Sequence, residues 1–92
     1  SRGLGDVYKR QVFMNYRERI KSVREDRDLT QVQVGKILNK SQQGYNHIEA
    51  GRAELKIDDL IRLCKYYDLS ADYLIGLINK PVSYKRNVKK LL

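Results

Sequence analysis

The chain has 92 residues, 41% of them hydrophobic and only one a cysteine, enough for one small core without covalent staples but with no room for a separate catalytic or ligand-binding domain. Its formal charge of +8 and pI near 9.7 favour a polyanionic partner, nucleic acid ahead of membrane, because no long basic amphipathic helix or lipidation signal accompanies the charge. Cys64 alone cannot form an internal disulfide or a cysteine-based zinc cluster, and no apolar run approaches the length needed to span a bilayer.

The first thirteen residues carry no helical periodicity. Asp6-Val7-Tyr8-Lys9-Arg10-Gln11 corresponds to the translation of a transposon end used as a sequencing adapter, so residues 1–13 are expected to be a non-native or disordered leader, with Met14 as the start. A genuine flexible basic arm is the alternative. Setting aside Arg2, Asp6, Lys9 and Arg10 leaves the remainder strongly basic.

From Met14 onward the pattern predicts an all-α domain of five short helices over residues 14–78, followed by a short basic tail, 79–92. Helix 1 runs from about Asn15 to Arg27, with Tyr16, Ile20 and Val23 on one face. Thr30 and Gln33 form a Thr-x-x-Gln capping box at the start of helix 2, whose buried side is Val34, Ile37 and Leu38. After a tight polar turn at Asn39-Lys40, Ser41 caps helix 3 and Gly51 supplies the left-handed residue that ends it. Helix 4 carries Ile57, Leu60, Ile61 and Cys64 at helical spacing, with Cys64 in the core. Ser70 caps helix 5, placing Tyr73, Leu74, Leu77 and Ile78 near one apolar surface, and Pro81 prevents simple continuation. The tail, with Lys80, Lys85, Arg86, Lys89 and Lys90, forms either a short helix or a disordered basic extension.

Helix 3 is the most informative element. Tyr45 and Ile48 fall on one side, while Gln42, Gln43, Asn46 and His47 fall on the other. That second face is uncharged and rich in groups that both donate and accept hydrogen bonds, which suits base edges in a DNA major groove.

These residues resemble the Cro/C1-type helix-turn-helix (XRE) family of phage and bacterial repressors, over Tyr16 to Leu77. The resemblance rests on Val23-Arg24, Leu29-Thr30-Gln31, Ser41-Gln42-Gln43, Ile48-Glu49-Ala50-Gly51 and Asp68-Leu69-Ser70-Ala71-Asp72-Tyr73-Leu74, in family order and spacing. It implies a compact five-helix, lambda-repressor-like fold with a recognition helix at about 41–49. Gly35 stands where the family usually has alanine, at a loss of roughly 1 kcal/mol of helix propensity. Leu55 and Lys56 replace a usual proline and a serine or threonine cap before helix 4, and Cys64 replaces a core alanine.

The resemblance places Gln42, Gln43, Asn46 and His47 against bases, with at least one adenine per half-site, since a Gln or Asn amide can pair with adenine N6 and N7. It places Gln31 at a phosphate, bracing the glutamines of helix 3. Lys40, Ser41, Tyr45, Arg52 and Lys56 are further backbone candidates; Tyr45 is mainly core, with only its hydroxyl reaching the DNA margin. Arg24 and Glu49 match the family's structural salt bridge. With no second histidine and no nucleophile and base pair, neither a metal, a cofactor nor an enzymatic activity is expected.

The expected activity is sequence-specific binding of double-stranded DNA at a near-palindromic operator, by a homodimer acting as a repressor in the bacterial or phage cytoplasm. Tyr66, Tyr67 and Tyr73 are split between the core and a dimer contact. The alternative is an antitoxin or protein-interaction regulator whose helices 4 and 5 hold a protein partner and whose DNA binding is autoregulatory.

Overall fold

The computed structural model describes residues 14–85. The expected leader, 1–13, and the tail residues 86–92 lie outside the described residues. Five helices follow in order: α1 (Tyr16–Asp26), α2 (Gln31–Ile37), α3 (Gln42–Ala50), α4 (Ile57–Tyr67) and α5 (Ala71–Leu74), with no strand among the described residues.

Local chemistry sets the helix starts. Asn15 and Glu18 form a capping box on α1, and Thr30 and Gln33 form another on α2. Ser41 caps α3 by accepting from the Gly44 amide at 3.0 Å, and Ser70 caps α5 by accepting from the Tyr73 amide. Each satisfies an amide that the first helical turn leaves unpaired. Lys56 precedes α4 without any side-chain cap bond.

The core joins all five helices. Ile20 and Val23 of α1, Val34 and Leu38 beside α2, Tyr45 and Ile48 of α3, Leu63, Cys64 and Tyr67 of α4, and Leu74 of α5 form one buried cluster. Burial of each large apolar side chain contributes roughly 1.5–3 kcal/mol. α3 packs against both α2 and α1, while α5 packs against α4 and α1, so the core holds α3 from two sides and leaves its polar side free.

Two core expectations are corrected. On α4, Ile57 is 69% and Ile61 46% exposed, while Leu63 and Tyr67 are buried beside Cys64. Leu60, Leu63, Cys64 and Tyr67 share the same i, i+3, i+4, i+7 spacing as the expected stripe, and packing against α5 selects that register. On α5, Leu77 is exposed because the helix ends at Leu74. Gly76 then adopts φ +90°, and a Cβ there would lie 2.1 Å from the Met14 carbonyl oxygen. The start of the chain's described part is therefore laid directly over this turn.

Residues 79–85 form no helix. The Ser70 amide donates to the Val82 carbonyl at 2.7 Å, and the Ser83 hydroxyl donates to Asp68 at 2.6 Å, which fastens the segment to the α4–α5 turn.

Candidate nucleic-acid interface

The α2–α3 turn fixes where the polar face of α3 points. Asn39 takes the left-handed conformation at φ +58°, and the Lys40 amide donates to the Gly35 carbonyl at 2.8 Å. A Cβ on Gly35 would stand 2.9 Å from the Lys40 carbonyl oxygen and 3.1 Å from that of Ser41. Glycine is thus the residue that lets this turn close onto α2, which offsets its weak helix propensity. At its other end α3 stops at Gly51, φ +89°, and Arg17 of α1 donates to the carbonyls of Ile48 and Ala53.

Gln42 and Gln43 are exposed, and Asn46 and His47 are half-buried on the same side of α3. They fall into two stripes of i, i+4 spacing. Gln42 and Asn46 form the braced stripe. The Gln31 amide nitrogen donates to Asn46 Oδ1 at 2.9 Å and to Glu49 Oε1 at 3.1 Å, while Gln31 Oε1 accepts from Gln42 Nε2 at 2.6 Å. Both N–H groups of Gln31 are engaged, so its side chain has no donor left for a phosphate without breaking this relay.

Gln43 and His47 form the second stripe. Gln43 makes no side-chain hydrogen bond among the described residues, so its amide is free to donate and accept. His47 lines an open groove together with Lys40, Ser41, Gly44 and Lys56. The structure therefore brings four of the expected contact residues to one groove and three to the relay. Arg52 stands apart, exposed after the end of α3. Lys40 lies 3.5 Å from the buried carboxylate of Asp59, so part of its charge is already balanced.

Tyr45 is corrected. It is fully buried, its hydroxyl included, and that hydroxyl offers no surface to a phosphate. Burial foremost, with the adjacent Glu49 carboxylate, holds it protonated well above the usual tyrosine range.

Behind the polar face lies an ion pair. Arg24 Nε and Nη2 meet the two oxygens of Glu49 at 2.8 and 3.1 Å, and the side chains are 11% and 3% exposed. Burial opposes ionisation of Glu49, but the hydrogen bonds from Arg24 and Gln31 outweigh it and hold the carboxyl below its ordinary value. Arg24 Nη1 also donates to the Leu29 carbonyl at 3.0 Å.

Sequence reasoning missed how many arginines of α1 are structural. Arg19 is 4% exposed, donates to the carbonyls of Tyr73 and Ile78 and to Asn79, and stacks on the Tyr73 ring at 4.2 Å. Arg27 donates to the Tyr67 carbonyl. With Arg17 on α3, these side chains close the C-terminal carbonyls of α3, α4 and α5, where cations complement the helix dipole. A signal existed: Arg19 and Arg27 fall on the same face as Tyr16, Ile20 and Val23. Much of the chain's positive charge is therefore turned inward and not toward a ligand.

Two short helices meeting at a close turn, with the second held by its apolar side and presenting amides outward, define a helix-turn-helix domain. A helix-turn-helix family model matches residues 20–74, and the chain belongs to the Cro/C1-type helix-turn-helix family of DNA-binding transcription regulators. It is similar to the uncharacterized HTH-type transcriptional regulator YobD of Bacillus subtilis (strain 168), with 29% identity over 79 residues, covering 84% of this chain and 70% of that protein. No solved structure matches it.

Proposed function

We propose that this regulator reads double-stranded DNA sequence-specifically by laying α3 in the major groove, and that it acts in the cytoplasm as a homodimeric repressor on a near-palindromic operator. The observation that carries the reading is the exposed amide face of α3, whose Gln42 and Asn46 are held in place by Gln31. Side chains fixed before binding lose less conformational freedom in the complex, so their hydrogen bonds discriminate bases more fully. Lys40, Ser41, Arg52 and Lys56 flank that face as phosphate contacts, which set register without selecting sequence. Two copies would place their recognition helices about 34 Å apart, one turn of the duplex, and occupancy would block transcription sterically.

Selection of bound duplexes from a random pool at about 150 mM salt, where purely electrostatic attachment is weakened, tests this. An enriched inverted repeat is the expected product. An unenriched pool from folded protein contradicts sequence reading.

A second reading, a regulator whose main surface holds another protein, is favoured by the exposed apolar side chains Ile57, Ile61 and Leu77. A stable heteromeric complex recovered by affinity capture, with DNA binding confined to the regulator's own promoter, would select it over the first.

A further inference from the structure

The hydrogen bonds around Gln31 have a direction, and one group sets it. Glu49 is ionised and can only accept; its Oε2 faces Arg24, and its Oε1 faces both Arg24 and Gln31. Gln31 must therefore turn its NH2 group toward Glu49. Its remaining N–H meets Asn46 at 2.9 Å, so Asn46 must present its carbonyl there, because its own NH2 in that place would set donor against donor. The carbonyl of Gln31 is then left to accept from Gln42. Among the described residues Asn46 Nδ2 has no partner, while Gln42 keeps its carbonyl and one N–H.

We infer, resting on the sequence-reading proposal above, that Asn46 enters the major groove as a donor only and selects a keto base, guanine before thymine. The bidentate pairing with adenine needs a carbonyl and an N–H along one edge, and the Asn46 carbonyl is tied inward to Gln31. Guanine presents two acceptors, O6 and N7, and thymine one, O4; adenine sets its N6 donor beside N7, and cytosine presents only a donor. The adenine expected from sequence is thereby assigned to Gln42 or Gln43 and withdrawn from Asn46. Glu49, which the fold keeps away from DNA, acts as a positioning residue for a base choice made by another side chain.

The test compares sequences selected from a random duplex pool by the full chain, by Asn46→Ala and Asn46→Asp, and by Gln31→Met. Circular dichroism and thermal unfolding establish that each is folded. Asn46→Ala identifies the position that depends on Asn46. In the parent protein that position is expected to hold guanine, or thymine, with at least about a fivefold preference. Asn46→Asp still accepts from Gln31 but offers no donor, so the guanine and thymine preference should be lost while other positions persist. Gln31→Met releases the Asn46 carbonyl, and adenine should then be admitted at the same position. Adenine there in the parent pool, an unchanged position in Gln31→Met, or an enriched pool that Asn46→Ala leaves unaltered would each overturn the inference alone. An unenriched parent pool would overturn the sequence-reading proposal, and this inference with it.

Discussion

Removing one partner of the Arg24–Glu49 pair has a calculable consequence. In Arg24→Ala the Glu49 carboxylate, 3% exposed, keeps only the Gln31 N–H, 3.1 Å away, and is left as a nearly unpaired buried charge. Breaking such a pair costs about 3–5 kcal/mol, and the lost bond to the Leu29 carbonyl adds to it. For a domain of this size each kcal/mol lowers the melting temperature by about 4–8 °C, so a fall of about 12 °C or more is expected. Glu49→Ala should cost less, since Arg24 retains Leu29 and its side chain is the more exposed of the two. The double variant Arg24→Met/Glu49→Leu, which removes both charges and refills the space, should recover most of the loss. Thermal unfolding followed by circular dichroism at neutral pH measures all three. A fall of under about 4 °C in Arg24→Ala would place the pair with exposed salt bridges, worth at most about 1 kcal/mol, and refute the burial argument.

The same pair predicts the acid limb of stability. The folded value of Glu49 lies below its unfolded one, so its contribution is complete above the ordinary carboxylate range and is lost as pH falls through the folded value; urea titrations should show a steeper acid loss in the parent protein than in the double variant. Burial pushes the Tyr67 hydroxyl up to about 12, so its contribution holds below the unfolded value near 10 and declines above it, which alkaline titration at fixed urea reads directly. Gly76→Ala forces a Cβ to 2.1 Å from the Met14 carbonyl oxygen at φ +90°, and should destabilise by at least about 2 kcal/mol in urea unfolding. Gln43→Ala should relax preference at one base position in a selection experiment while leaving affinity for unrelated duplex nearly unchanged.

The sequence carried the fold through signals that act locally. Capping residues at Thr30, Ser41 and Ser70 mark three helix starts, and the apolar spacing of Ile20, Val23, Tyr45 and Ile48 marks the side each helix buries. The α4 stripe was ambiguous because Ile57 with Cys64 and Leu60 with Tyr67 satisfy the same spacing, and only the partner helix chooses between them. The end of α5 turned on Gly76, whose need for a positive φ arises from a chain segment sixty residues away in sequence, Met14. At the polar face, residue type identified amides able to read bases but not which of their atoms are free. That depends on Gln31, fifteen positions before Asn46 and eighteen before Glu49, a relation that no short-range pattern contains. Charge misled in part for the same reason, since Arg17, Arg19 and Arg27 meet carbonyls far along the chain.

The central claim, that this domain reads base sequence through α3, is tested most directly by a competition titration. A selected operator and a scrambled duplex of equal length and composition compete for the full chain at about 150 mM salt. A preference for the operator of about a thousandfold or more is predicted, in the range by which specific binding exceeds nonspecific attachment. Equal displacement by the two duplexes, from protein shown to be folded, would contradict the account and leave only attraction between a basic domain and phosphate.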